Sequence, residues 1–486
     1  MKVLMIGMDG ASLETFSRGW TPYMESLIKR GSVGDIYNNL LSRGWVELVT
    51  GKEAHRTGAQ YDIPLCNGTT QWTTSFSIAS MDSDTRPLWE SLNKIGVSVG
   101  IMNVPTTAPA PSVDGFFVAG GGGGSIVVNH PEVEFCYPSE THKILLENDY
   151  IVDDRLYELF VNKNLTSYSE ILGRMNEKNQ NRAKSFIALE HQYKVDFGLV
   201  VFKTSSVLAE TLVQNDYKRK LDGQSHDERL VEELARYYSV FDDIVNNMVL
   251  EIRPERVILV SDHGMTPRTL SINPNILLLR LGFQHSDLLG SIKRRVLEAS
   301  RRVMPPAIKV MLKKNTSIKS VSNNSFSYDP YTSKAFMRSF GDWRHGIFVN
   351  DSKRFGGPVL ECEKNKVIAD LIEAINNDSQ SKAFKLKAHS SKSLFGSNLV
   401  SQFPDIVIDC EDGALICETS SSFITPYKLN PNYNALDSML KLDVAAVKST
   451  KPLCVFHPAV DKSELENIKV IADLPDILIR IFERDL

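Results

Sequence analysis

The stretch Arg256–Met265, RVILVSDHGM, decides how this 486-residue chain is read. Val257 to Val260 form an apolar run too short for a helix and without alternation, the pattern of a strand buried on both faces of a parallel sheet. The run ends in Ser261, then an acid and an imidazole, Asp262 and His263, then Gly264. In open parallel sheets ligands bind beyond the carboxyl ends of the strands, so polar residues at that address carry the information. Asp262–His263 is therefore either a polar turn or half of a metal site.

The same plan recurs along the chain. KVLMIGM, residues 2–8, is a second buried run and ends in Asp9 and Gly10. TPYMESLIKRG (21–31) has apolar residues at helical spacing, Pro22 near its start and Gly31 after its end. KVDFGLVVFKTSS, residues 194–206, is a further strand and passes into a helical segment carrying Glu210. DERLVEELARYYSVFDDIVNNMVLEI, residues 227–252, is a long amphipathic helix feeding the opening strand. Helices alternating with apolar strands predict an α/β fold, a mainly parallel sheet sandwiched by helices, with a helical cap or insertion. The expected divisions are core at 1–129, a helix-rich insertion at 130–192, core at 193–280, a basic helical insertion at 281–335 and core again at 336–486.

Composition sets only wide limits. Hydrophobic residues make up 42%, charged residues 23%, and the formal net charge is -4, which gives no global attraction to nucleic acid or an acidic membrane. No apolar run reaches a membrane span. Six scattered cysteines without CxxC spacing fit a reducing compartment, so a cytoplasmic location is expected. The glycine run in VAGGGGGS, residues 118–125, lacks the lysine of a phosphate loop and reads as a flexible link. Residues 290–320 hold nine basic residues against one acid and read as a solvated helix face. His345 and His457 are isolated and read as surface or core histidines.

Asp9, Asp262 and His263 share one topological address. An acid after a strand is often only an Asx turn or a helix cap. Two carboxylates and an imidazole at one sheet edge point instead to one divalent ion, zinc or manganese. Such an ion stabilises charge on a phosphoryl or sulfuryl oxygen.

KVLMIGMDGASLETF (2–16) and VILVSDHGM (257–265) resemble the two aspartate motifs of the alkaline phosphatase superfamily, in particular its type I phosphodiesterase and nucleotide pyrophosphatase branch. GWVELVTGKEAHRTG (44–58) resembles that branch's helix after the nucleophile, through Trp45, Thr50, Gly51 and Gly58, with Thr57 where a His is usual. GIFVNDSKRFGG (346–357), FPDIVIDCEDG (403–413) and IADLPDILIRIF (471–482) resemble later segments. The resemblance implies the superfamily fold and a metal-dependent phosphoester chemistry, with Asp9, Asp262 and His263 as metal ligands.

It also marks departures. The family's second ion is held by an Asp, a His four residues later and a distant His. Gapless matching of LVVFKTSSVLAE (199–210) places Ser206 and Glu210 at the first two positions, and matching PLCVF (452–456) places Lys448, with Ser449 or Thr450 as alternatives, at the third. Glu210 remains a candidate ligand for a weak second ion, and Lys448 a candidate cation near bound phosphate. Ser42, one residue from the family's nucleophile position, is the candidate nucleophile, and the alternative for it is an N-cap serine. Arg43 and Asn350 are candidate substrate contacts. A metal-dependent hydrolase or transferase is expected, acting on a small-molecule or polymeric phosphate or phosphonate ester, a diester before a monoester, because losing a second ion removes charge compensation that a dianion needs more. The alternative is a non-catalytic member of the fold that binds a ligand or partner in the former active-site cleft.

Overall fold

The computed structural model describes residues 1–81, 84–121, 134–151, 167–224, 227–286, 328–338, 346–418, 422–428 and 445–484. The basic stretch 290–320, most of the glycine run and His345 lie outside them. The chain forms two compact units. The first comprises Met1–Tyr61, Thr74–Pro267 and Lys448–Leu486; the second comprises Asp62–Thr73 and Arg268–Val447.

The first unit is built on an eight-stranded sheet. Its strands are β1 (Val3–Met8), β2 (Ser32–Val33), β3 (Val99–Pro105), β4 (Gly115–Gly120), β5 (Cys136–Tyr137), β6 (Phe197–Phe202), β7 (Arg256–Val260) and β8 (Cys454–His457). Their spatial order is β2-β8-β7-β1-β6-β3-β4-β5. The five inner strands, β7 through β4, run parallel, while β8 and β5 run antiparallel to them and β2 pairs antiparallel with β8. Every residue of β1, β3 and β6 is buried, as continuous apolar runs covered on both faces must be.

Helices cover the faces. They are α1 (Pro22–Arg30), α2 (Gly44–Thr50), α3 (Tyr168–Tyr193), α4 (Thr204–Leu208, continued by a π-turn at Ala209–Val213), α5 (Glu228–Ile252) and α6 (Leu474–Glu483). Asp242 of α5 accepts the backbone N–H groups of Tyr23 and Met24 at 2.7 and 2.9 Å, satisfying donors that the first turn of α1 leaves open. Phe186 of α3 packs edge-on to Phe116 of β4 with ring centroids 5.6 Å apart, so α3 is a layer on the sheet. That corrects the expected insertion at 130–192 for its helical second half.

The second unit has its own core. Strands Ala335–Phe336, Gly346–Val349, Ile406–Asp409 and Lys387–Ser390 pair antiparallel in that order. Ile347, Ile406 and Ile408 pack with Leu371 and Ile375 of the helix Lys364–Asn377. The sequence reading kept 336–486 within the main core, but only Lys448–Leu486 belongs to it. Strand-and-helix patterning repeats in both units, so pattern alone does not separate them. Among the described residues no helix is long and apolar enough to cross a membrane.

Candidate metal centre

β1 lies between β6 and β7, and its register sets Met8 beside Phe202 and Gly7 beside Val260. The next residue of each strand therefore emerges at the same edge. Asp9 leaves β1 with its N–H on the Phe202 carbonyl at 2.9 Å, and its own carbonyl accepts the Ser205 hydroxyl at 2.6 Å. Beyond β7, the Ser261 hydroxyl donates to the Ala11 carbonyl at 2.6 Å and accepts the Leu453 N–H at 2.7 Å. The Asp262 carbonyl accepts the Asn38 amide at 2.6 Å. Asp9 and Asp262–His263 are thus pinned through their backbones, leaving the side chains to face one another.

They form one cluster. Ligand atoms of Asp9, Asp262 and His263 lie within 4.8 Å of one another, and among the described residues no other such group of three occurs. His263 Nε2 stands 3.6 Å from a carboxylate oxygen of Asp9 and 3.6 Å from one of Asp262. His263 Nδ1 sits 2.8 Å from the Gly264 carbonyl, which assigns the ring proton to Nδ1 and turns the Nε2 lone pair toward the two acids. Burial and the Lys448 charge hold the imidazole pKa down, to about 3, so it is the neutral form that faces them.

The carboxyls are pushed apart. Burial and the neighbouring Asp9 charge carry Asp262 well above the usual carboxylate range. Burial also pushes Asp9 upward, but His263, Lys448, the Trp45 N–H and Lys203 outweigh it and leave Asp9 below its ordinary value. Asp262 Oδ1 is buried and accepts no hydrogen bond among the described residues. A buried acceptor of this kind is costly unless something occupies its lone pairs.

These features fit a divalent ion. Two ligands about 2.0–2.1 Å from zinc at a tetrahedral angle lie roughly 3.4 Å apart, close to the spacing of Nε2 from each carboxylate. Two oxygens and one nitrogen suit zinc or manganese, with positions left for other oxygens.

Glycines admit this packing. Gly10 has φ of +69°, and a Cβ there would come 2.7 Å from that of Ser206 and 3.2 Å from the His263 ring. A Cβ on Gly44 would meet that of Asp262 at 2.8 Å, so the start of α2 rests against the cluster. The Trp45 indole N–H donates to Asp9 Oδ2 at 2.9 Å, making α2 an outer support of the cluster. Trp45→Phe should keep the fold and weaken zinc or manganese binding about 10- to 100-fold, as loss of ligand-orienting hydrogen bonds does. Titration calorimetry reads that change, and unaltered affinity would show that the indole only packs.

The other sequence candidates divide. Ser42 is 2% exposed and precedes Arg43, the N-cap residue, so Ser42 is not itself the cap. Lys448 is half-buried, its ammonium 5.5 Å from the centroid of the Tyr61 ring, and its charge acts on Asp9, Asp262 and His263. Glu210 lies in the π-turn and is not in the ligand cluster. The Ser206 hydroxyl donates to the Lys203 carbonyl at 3.2 Å, a bond within its own helix.

Arg43 and Asn350 each bond to carbonyls of the chain. The Arg43 guanidinium donates to the carbonyls of Gln60 at 3.0 Å and Thr74 at 2.9 Å and lies over Tyr61. The Asn350 amide, in the second unit, is fully buried and donates to the carbonyls of Pro330 and Ser333 at 2.7 and 2.8 Å. Arg354 beside it is paired with Asp351 and Asp405. Loop carbonyls thus accept hydrogen bonds from both the Arg43 and the Asn350 side chains.

Two charged groups escaped the sequence reading. Lys203 follows β6 at the informative address and adds positive charge beside Asp9. Glu47 is 2% exposed inside α2, and its one sequence signal is an acid within the apolar GWVELV.

The sequence profile of the type I phosphodiesterase / nucleotide pyrophosphatase family matches residues 3–423. The chain belongs to that family. Its members are phosphoesterases that use divalent metals. No curated protein matches the sequence. Among solved structures, phosphonoacetate hydrolase from Sinorhizobium meliloti 1021, in complex with phosphonoacetate, superposes with a TM-score of 0.53 at 10% identity, covering 99% of this chain and 95% of that one. Murine ectonucleotide pyrophosphatase / phosphodiesterase 5 covers the same shares at 12% identity with a TM-score of 0.43. The first likeness places this chain in the alkaline phosphatase-like α/β fold.

Proposed function

We propose that this family member is a one-metal phosphoesterase acting on phosphodiesters or phosphonate esters, with Ser42 as nucleophile. The observation that carries the reading is the convergence of Asp9, Asp262 and His263 at the carboxyl edge of adjacent strands, with Lys448 acting on all three. A divalent ion in this ligand set supplies Lewis-acid charge compensation to a phosphoryl oxygen. Asp9, Asp262 and His263 hold it, and Trp45 and the Gly264 carbonyl orient Asp9 and His263.

Ser206 and Lys448 occupy positions where the family resemblance expects a carboxylate and a histidine. The Ser206 hydroxyl is turned to the Lys203 carbonyl, and the Lys448 ammonium reaches the cluster by its charge. We read this as a second ion replaced by fixed ammonium charge. One ion and a lysine suit the single negative charge of a diester or phosphonate monoester better than a dianion.

Elemental analysis of protein purified without chelating resin, beside turnover of bis(4-nitrophenyl) phosphate and 4-nitrophenyl phosphate with added zinc or manganese, tests the reading. One ion per chain and faster diester turnover are expected. Two ions would overturn the replaced-ion reading, and no ion with no turnover would favour a non-catalytic binder. Lys448→Met should raise the KM for the diester roughly 10- to 100-fold, the range for a lost charged hydrogen bond, with a smaller change in kcat. An unchanged KM would remove Lys448 from substrate binding.

A further inference from the structure

We propose that Glu47 is the proton acceptor for Ser42, an assignment that rests on the phosphoryl-transfer reading above and adds to it the group that activates the nucleophile. Both side chains are 2% exposed. A helical side chain leans toward the helix N-terminus, so from the middle of α2 the Glu47 carboxyl is directed back over the segment carrying Ser42. The Ser42 hydroxyl is in turn among the groups acting on that carboxyl. Ser42 Oγ is buried and has no hydrogen-bond partner among the described residues, so its proton is uncommitted.

The carboxyl is otherwise sparsely held. Glu47 Oε1 accepts the Ala54 N–H at 3.2 Å, and among the described residues no ion pair joins it to a cation. Glu53, from the turn after α2, is the titratable neighbour acting on it and has the same sign. Burial above all, then the Glu53 charge, raises the Glu47 pKa to about 8 despite the hydrogen bonds that oppose it. A buried carboxyl without a cation is costly, and the turn at Ala54 needs only a neutral acceptor there. A base near the working pH is what general-base catalysis requires.

The proton balance is closed. As Ser42 Oγ bonds to phosphorus, its proton passes to the Glu47 carboxylate and the bond to the ester leaving group breaks, the electron pair departing with that group. When water displaces Ser42 from phosphorus, Glu47 returns the proton to Oγ, and the water's proton leaves to solvent. Glu47 ends each cycle as it began.

The test uses an alkyl fluorophosphonate, which bonds to an activated serine with loss of fluoride, and follows adduct formation on Ser42 by mass spectrometry from pH 5 to 10. In the wild type, labelling should rise with pH to a plateau above about 8, where the carboxyl is ionised. Glu47→Gln keeps an acceptor for the Ala54 N–H and has no base, so labelling should slow by about 100-fold or more and lose its pH dependence. Glu47→Asp, which keeps the carboxylate but draws it back, should label slowly with the pH rise retained; this variant decides the matter should the Gln variant not fold. Absence of a Ser42 adduct in the wild type, or wild-type labelling in Glu47→Gln, would overturn the assignment. Turnover of bis(4-nitrophenyl) phosphate, read in parallel, keeps the two readings apart. Labelling without turnover removes the phosphodiesterase reading and leaves Glu47 in place, whereas turnover with equal labelling of both proteins removes only Glu47.

Discussion

Asp262→Asn should yield a folded protein that holds no divalent ion and turns over diesters at least about 10³-fold more slowly, several kcal/mol of transition-state stabilisation being lost with the ion. The reason lies in what the carboxylate does in each state. Without a cation it is buried beside Asp9, and its pKa is raised well above the usual range. A folded-state pKa above the unfolded value means that stability is present below the unfolded pKa and is lost as pH rises through the folded one. An amide at this position removes that penalty, so metal-free Asp262→Asn should melt at or above the temperature of the metal-free wild type at neutral pH. Zinc or manganese at 100 times its Kd should stabilise the wild type by about 2.7 kcal/mol and leave the variant unchanged. Thermal melts with and without metal, beside elemental analysis, check both parts. A variant that unfolds, or one that binds metal as the wild type does, would show that Asp262 is structural.

Ser42→Ala is the second large effect. Removing an attacking hydroxyl from a working catalytic set has cost on the order of 10⁶ in kcat elsewhere. A loss of roughly 10⁴ to 10⁶ is expected here, with metal content and melting temperature close to the wild type. The fold should tolerate the change, because Ser42 Oγ caps no helix and makes no bond that holds another segment. Rapid-quench analysis for a phosphorylated Ser42 during turnover supplies the positive control. Activity within tenfold of the wild type would move the nucleophile to water or to another residue.

The convergence of Asp9, Asp262 and His263 was legible because local patterns determine it. An apolar run makes a buried strand, the residue after that strand must leave the sheet, and parallel neighbours bring their exits to one edge. Asp9, Asp262 and His263 needed nothing more to be brought together. The burial of Arg43 and Asn350 is not legible in the sequence, because exposure is not a local property. Each resembled a polar residue beside a motif, and in the fold each guanidinium or amide satisfies carbonyls from distant loops. Glu47 passed unnoticed for the converse reason. Its helix is buried on all sides, and only packing shows that its carboxyl is shielded from solvent with no ion pair to a cation among the described residues.

The sequence by itself determined the strands, their buried character, the address of Asp9, Asp262 and His263 and the family to which the chain belongs, since each follows from short-range periodicity or from order along the chain. Tertiary structure alone decided that 268–447 builds a second core, that Lys448 brings its charge to the Asp9 cluster, and that Glu47 is buried beside Ser42. Those outcomes depend on desolvation and on contacts between residues far apart in sequence. Both are set by how segments pack, and neither leaves a periodic trace in the segments themselves.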